Sequence, residues 1–267
     1  MAWKVIGHPV SIVGGLRALI VQSLHPLAMA GVAQHSDYAK RPIDRLRRTA
    51  YYVTATTFGD RATADAAARH VRNVHKKVRG TDPVTGQAYS ADDPDTQLWV
   101  HCVEWHGFLA AYRAYGGRLT ASEQDRFHAE GAVVAPLVGV READVPRSVA
   151  EMREYFASVR PQLCISQPAR EAIDFVLKPP LTRDLLPFQV PVRLVARAAL
   201  ATIPRDLRRM AGVDQPSVLD TATVMAVRPA AALLTLPLLR DAPSLVLGEQ
   251  TRAVTLSARE QQSRAAA

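Results

Sequence analysis

Two cysteines in 267 residues, Cys102 and Cys164, are too few for a disulfide framework or a structural zinc cage, and they suit a reducing compartment. Lysine is also scarce: only five of the 33 basic side chains are Lys, so arginine carries the basicity. Aromatics are 6% of the chain. With no interleaved aromatics, no basic tail and no Cys/His finger, nucleic acid is not an expected partner. The common catalytic signatures are missing as well: no GxSxG, no P-loop, no GxGxxG after a strand, no HExxH and no CxxC. That removes the hydrolase and nucleotide-binding classes those motifs mark. No apolar run is long enough to be a clear membrane span. The stretch from Val10 to Ala33 is interrupted by Arg17, Gln22, His25 and Pro26, and the stretch from Ala226 to Glu249 by prolines and arginines. With no export pattern recognised, a cytoplasmic location is expected, with peripheral membrane contact left open.

What is present describes an ordinary folded chain. Hydrophobic residues make up 48% and charged residues 22%. Basic residues number 33 against 25 acidic, a net charge of +8. Arginine forks bind carboxylates and phosphates well, which leaves acidic ligands and anionic lipid open. The length sits near the upper limit of one hydrophobic core, so a single domain over residues 1–250 is expected, with 251–267 as a flexible tail of small and polar residues.

Helix punctuation runs along most of the chain. Pro42 suits a first helical position, and the helix it opens runs through Tyr51, Tyr52 and Phe58 to a stop at Gly59. Asp60 can cap the next helix, expected to reach Val78 and end at Gly80, before a loop TDPVTGQAYSADDP. Asp93 and Pro94 open a further helix that stops at Gly116 and Gly117. Thr120 with Glu123, and Ser148 with Glu151, have capping-box spacing. SQPAREAIDFVLKPP reads as a helix closed by two prolines, and VRLVARAALATI as one closed by Pro204. No sustained alternation, βαβ rhythm or repeat is visible, so the expected class is all-α, one multi-helix domain.

The candidate functional residues are histidines on apolar helix faces. In HVRNVHKKVRG, Val71, Val74, His75 and Val78 share one stripe, so His75 faces inward. Such an imidazole is kept neutral, the state that ligates metal, although a core histidine donating to a carbonyl fits the same pattern. His101 lies on a second apolar face with Leu98, Cys102, Trp105 and Phe108, and His106 at its edge. Two such histidines could flank one iron, or one could ligate while the other positions a ligand. In RLRRT, Arg45 and Thr49 stand four apart on one face and offer a cation and a hydroxyl to one place, or simply form a solvated helix surface.

Taken in order, RALIVQSLHPLAMAGVAQHSDY, RLRRTAYYVTATTFGD, HVRNVHKKVRG, YSADDP and WVH resemble the catalytic domain of the MpaB and latex-clearing-protein (rubber oxygenase) family, over about residues 14 to 180. The resemblance implies an all-helical fold with a globin-like core and haem b as iron cofactor, used to activate dioxygen. It further implies His75 as the proximal iron ligand, and Arg45 and Thr49 as distal-side residues contacting the cofactor's ligand. His101 is the rival or second cofactor-binding histidine. Arg48 stands where rubber oxygenase has a Lys able to occupy the open side of the haem, and a guanidinium cannot serve as a neutral amine ligand. The function so implied is a haem b-dependent oxygenase acting on a small apolar intracellular molecule with dioxygen. The alternative is a non-catalytic helical module of the same fold holding a lipid or other apolar ligand. A homodimer is left open.

Overall fold

The computed structural model describes residues 1–179, 189–239 and 242–266. Its helices are α1 (Ala2–Ile6), α2 (Ser11–Gln22), α3 (Pro26–His35), α4 (Pro42–Phe58), α5 (Arg61–His75), α6 (Pro94–Ala111), α7 (Ala121–Gly131), α8 (Val149–Val159), α9 (Gln167–Leu177), α10 (Gln189–Ala201), α11 (Arg205–Met210), α12 (Ser217–Leu233), α13 (Ala242–Leu247) and α14 (Glu249–Ala266). The fold is all-α, as the periodicity predicts. The single sheet among the described residues is a hairpin of β1 (Arg79–Thr81) and β2 (Ala88–Ser90), antiparallel, with Gly80 opposite Tyr89.

The helix boundaries follow their caps. Asp60 accepts from the Thr63 amide, Asp93 from Asp95 and Thr96, and Ser166 from Ala169. Thr120 and Glu123 form the full reciprocal box. At Ser148 only half of it forms: Ser148 accepts from the Glu151 amide, but the Glu151 carboxylate turns to the Arg147 amide instead. Of the two prolines expected to close α9, Pro180 lies outside the described residues.

Three expectations differ. The helix carrying His75 ends at His75 itself and not near Gly80, because the chain turns at Lys76 and Lys77 and enters β1. Val74 is therefore about half exposed, and the inward stripe reduces to Val71, His75 and Val78. The segment TDPVTGQAYS is not a plain loop: Asp82 ties its turn together by accepting from Val84 and Thr85, which lets β1 and β2 pair. The polar segment after Thr251, expected to fray, is helix α14, which packs on α4 with Thr251 and Ala258 buried.

The core is organised by α6. Helix α2 makes its most extensive packing with α6, and the two backbones meet where Gly14 faces Gly107: a Cβ on Gly14 would lie 2.8 Å from the Phe108 Cα and 2.9 Å from the Gly107 carbonyl oxygen. One side of α6 then buries Trp99 and Val103 with Ile20, Leu24 and Ile173, and its C-terminal half buries Trp105 and Phe108 with Val5 and Phe127. The apolar N-terminal run is two helices, α2 and α3, bent by 103°. No single helix among the described residues is long and apolar enough to cross a membrane.

Candidate functional site

A cavity opens where α4, α5 and α6 converge. Its walls are Tyr52, Val53, Thr56 and Thr57 from α4, Val71 and His75 from α5, and Gln97, Val100, His101, Glu104, Trp105 and Phe108 from α6, with Ile6, Val134 and Val138 closing it. It contains about 510 Å³ of space free of atoms, its opening to solvent included. The room in which a water-sized sphere can travel is much narrower, about 60 Å³. Both histidines singled out from the sequence are on this wall.

His75 reaches the cavity because α5 stops there, leaving its ring on the last turn between Val71 and the α6 face. Burial lowers its pKa, opposed by Gln97 beside it and more weakly by Asp92. Its Nδ1 has no hydrogen-bond partner, nor has the Gln97 Nε2. A neutral imidazole with a free nitrogen on a cavity wall is chemically a ligand without a partner. The plain alternative, a core histidine donating to a carbonyl, is not what this Nδ1 does.

His101 is pushed down to about 3, by burial first and by neighbouring His128 second. Its ring centroid lies 5.6 Å from that of Trp105. His106 points away from the cavity against Phe156, with ring centroids 5.0 Å apart. His101, His106 and His128 are all held neutral, and the Nδ1 atoms of His106 and His128 are also without partners.

Arg45 and Thr49 are not part of the cavity wall. They occupy the first turns of α4, on the stripe that continues through Tyr52 and Thr56 into the cavity. The Arg45 Nη1 donates to the Ser36 Oγ at 2.7 Å, and its guanidinium lies 5.9 Å from the Tyr38 ring centroid, so it ties α4 to the segment after α3. Thr49 is exposed. Arg48 is exposed too, 3.6 Å from Asp37.

Gln97, Glu104 and Tyr52 were missed by the sequence reading. Gln97, His101 and Glu104 stand at i, i+4 and i+7, so α6 carries a polar line inside its apolar face, about 10 Å long at 1.5 Å per residue. The spacing that picked out His101 also contains the other two. Burial raises the Glu104 carboxyl to about 7, and Glu104 in turn adds to the burial that raises the Tyr52 phenol. Glu104 and His101 keep some accessible surface, in accord with a position on a cavity wall.

With this geometry in place, comparison of the chain with known families gives a match over residues 3–235 to the catalytic domain described as ER-bound oxygenase mpaB/B'/Rubber oxygenase. The chain belongs to that family. The match reaches beyond the stretch of about 14 to 180 on which the resemblance rests and takes in every wall residue of the cavity. No curated protein and no solved structure matches the chain. Membership makes this an oxygenase catalytic domain by family.

A haem fits these residues at the level of ligation. His75 offers an unpartnered neutral nitrogen, and the walls around it are mainly valine and aromatic side chains. Among the described residues no group of three or more His, Cys, Asp or Glu could hold a bare metal ion. A single histidine therefore suits a metal that brings its own ring of donors better than one that needs a protein cage. The enclosed volume, about 60 Å³, is well below the roughly 300–1,000 Å³ usual for ligand pockets, so wall side chains must part for a flat molecule.

Proposed function

We propose that the protein is a haem b-dependent oxygenase that acts on a small apolar molecule with dioxygen, with His75 as the iron ligand. The observation that carries this is the unpartnered Nδ1 of a partly buried, neutral His75 on the wall of an apolar cavity, in a chain of an oxygenase family. Bound haem would supply a redox-active iron able to activate dioxygen. The remaining work falls to the chain. The lowered pKa of His75 keeps its ring neutral, with one of its two nitrogens free of a proton to ligate, and Gln97 lies beside it to orient the ring. Val71, Val100, Val134, Val138 and Phe108 exclude water and receive the apolar substrate. Glu104 and Tyr52 supply the polar groups on the wall. Arg45 and Thr49, set back on the same stripe of α4, act in this reading at the outer end of the cavity, as donors to a ligand that extends past Tyr52.

The alternative reading is a non-catalytic module holding an apolar ligand, and the narrowness of the cavity favours it. The absorption spectrum of the purified protein separates the two. The proposal expects an intense band at roughly 400 nm, characteristic of His-ligated haem. A preparation that stays colourless after haem is added refutes it. H75A is expected to lose the band and H101A to keep it, and the reverse result would move the ligand to His101.

A further inference from the structure

We infer that the cavity is built for an apolar molecule that carries one neutral oxygen acceptor, such as a ketone, and that Glu104 is the residue that binds this oxygen. The inference rests on the reading of the cavity as the working site, and it adds the chemical class of what occupies it.

The wall contains no Lys or Arg and only one carboxyl, that of Glu104. A ligand carboxylate or phosphate would enter without a counter-charge and close to a group of its own sign, at a large desolvation cost. A pure hydrocarbon would leave the polar line of α6 facing it unsatisfied. Glu104 forms no hydrogen bond or ion pair among the described residues, and the Gln97 Nε2, in a residue that is 6% exposed, is a donor with no acceptor. The Thr56 hydroxyl, by contrast, is already committed to the Tyr52 and Val53 carbonyls. Apart from the His75 Nδ1, which the proposed function assigns to iron, the unmet demand in this wall is for an acceptor, held by a molecule that is otherwise apolar.

The titratable groups sharing the wall with Glu104 are Tyr52 from α4, His75 from α5 and His101 from its own helix. All three are uncharged near neutral pH, Tyr52 because burial raises it and the histidines because burial lowers them. Nothing in the wall therefore compensates an ionised Glu104, and burial holds its carboxyl protonated up to about 7. In that form its O–H donates to a carbonyl oxygen. Once ionised it can only accept, and it repels the same oxygen.

The test uses the full chain as purified and three compounds of similar shape: acetophenone, ethylbenzene and benzoate. Binding is measured by calorimetry at pH 6 and at pH 8. Acetophenone is expected to bind more tightly than ethylbenzene at pH 6 and to lose about tenfold in affinity by pH 8, the factor set by one unit beyond the midpoint of the carboxyl. Ethylbenzene is expected to be indifferent to pH, and benzoate to bind no better than ethylbenzene. E104Q keeps a donor, so it should retain the preference for the ketone and lose its pH dependence. E104L should abolish the preference, so that acetophenone binds no more tightly than ethylbenzene at either pH. Equal affinity for acetophenone and ethylbenzene at pH 6, a preference that survives in E104L, or no binding of any of the three overturns the inference. The haem spectrum is independent of all this. A haem-loaded protein without ketone preference sinks the role of Glu104 alone, and a colourless protein with that preference sinks the haem reading alone.

Discussion

Acidification should unfold this protein at an unusually mild pH, because several of its histidines are buried in neutral form. His101 is held down to about 3 and His128 to about 4, and His106 lies well below its ordinary value of 6.5, with burial the main cause in each case. In the unfolded chain all three take up protons near 6.5, while the folded chain resists protonation down to about 3 at His101 and about 4 at His128, and to well below 6.5 at His106. The folded pKa values are depressed, so the stability these sites support is present above about 6.5 and is lost as pH falls toward the folded values. Each site contributes roughly 1.4 kcal/mol per pH unit in that window, and the three together roughly 4. His8, His25 and His75 act in the same direction. Glu104 opposes them. Its folded value is raised from 4.5 to about 7, so between those values the folded state keeps a proton that the unfolded state gives up, and stability rises on acidification by roughly 1.4 kcal/mol per unit. The net loss from pH 6 to pH 5 is then of order 3 kcal/mol, a large share of the 5–15 kcal/mol of a typical domain. Denaturant unfolding followed by circular dichroism at pH 7, 6 and 5 measures it. A midpoint that stays level or rises on acidification would refute the burial of these imidazoles as uncharged groups.

Further expectations concern packing and a buried charge. Gly14→Ala places a Cβ against the backbone of α6, which cannot rotate away, and should cost about 1–3 kcal/mol with a lowered thermal midpoint. An unchanged midpoint would show that α2 and α6 are not in close contact. Asp220→Ala removes the bidentate partner of Arg208, whose side chain is 2% exposed, with N–O distances of 2.8 and 2.9 Å. The loss should be about 3–5 kcal/mol, since the guanidinium stays buried with only Asp214 at 3.6 Å. A double change of Arg208 to Met with Asp220→Ala should recover part of it, and if it recovers nothing the pair is not the cause.

The sequence by itself determined the helices, where their caps are local chemistry. Asp60, Asp93, Thr120, Ser148 and Ser166 each satisfy a backbone amide within three residues, and that needs no partner elsewhere in the chain. Periodicity likewise brought His75 and His101 to inward faces, and the ordered motifs indicated the family. The stop of α5 at His75 was not legible, since HKKVRG keeps the helical pattern, and only the pairing of β1 with β2 pulls the chain out of the helix. The tail after Thr251 looked too polar to pack, yet α4 gives it a surface. Arg45 and Thr49 share a helix face in the sequence as in the structure, but a face says nothing of how far along the axis the cavity lies, and the crossing of α4 with α5 and α6 puts it at Tyr52 and Thr56. That same crossing set His75, from one helix, beside Gln97, from another, and left the His75 Nδ1 and the Gln97 Nε2 without hydrogen-bond partners. Local spacing fixes which way a side chain points, and only the packing of distant helices decides what it meets there.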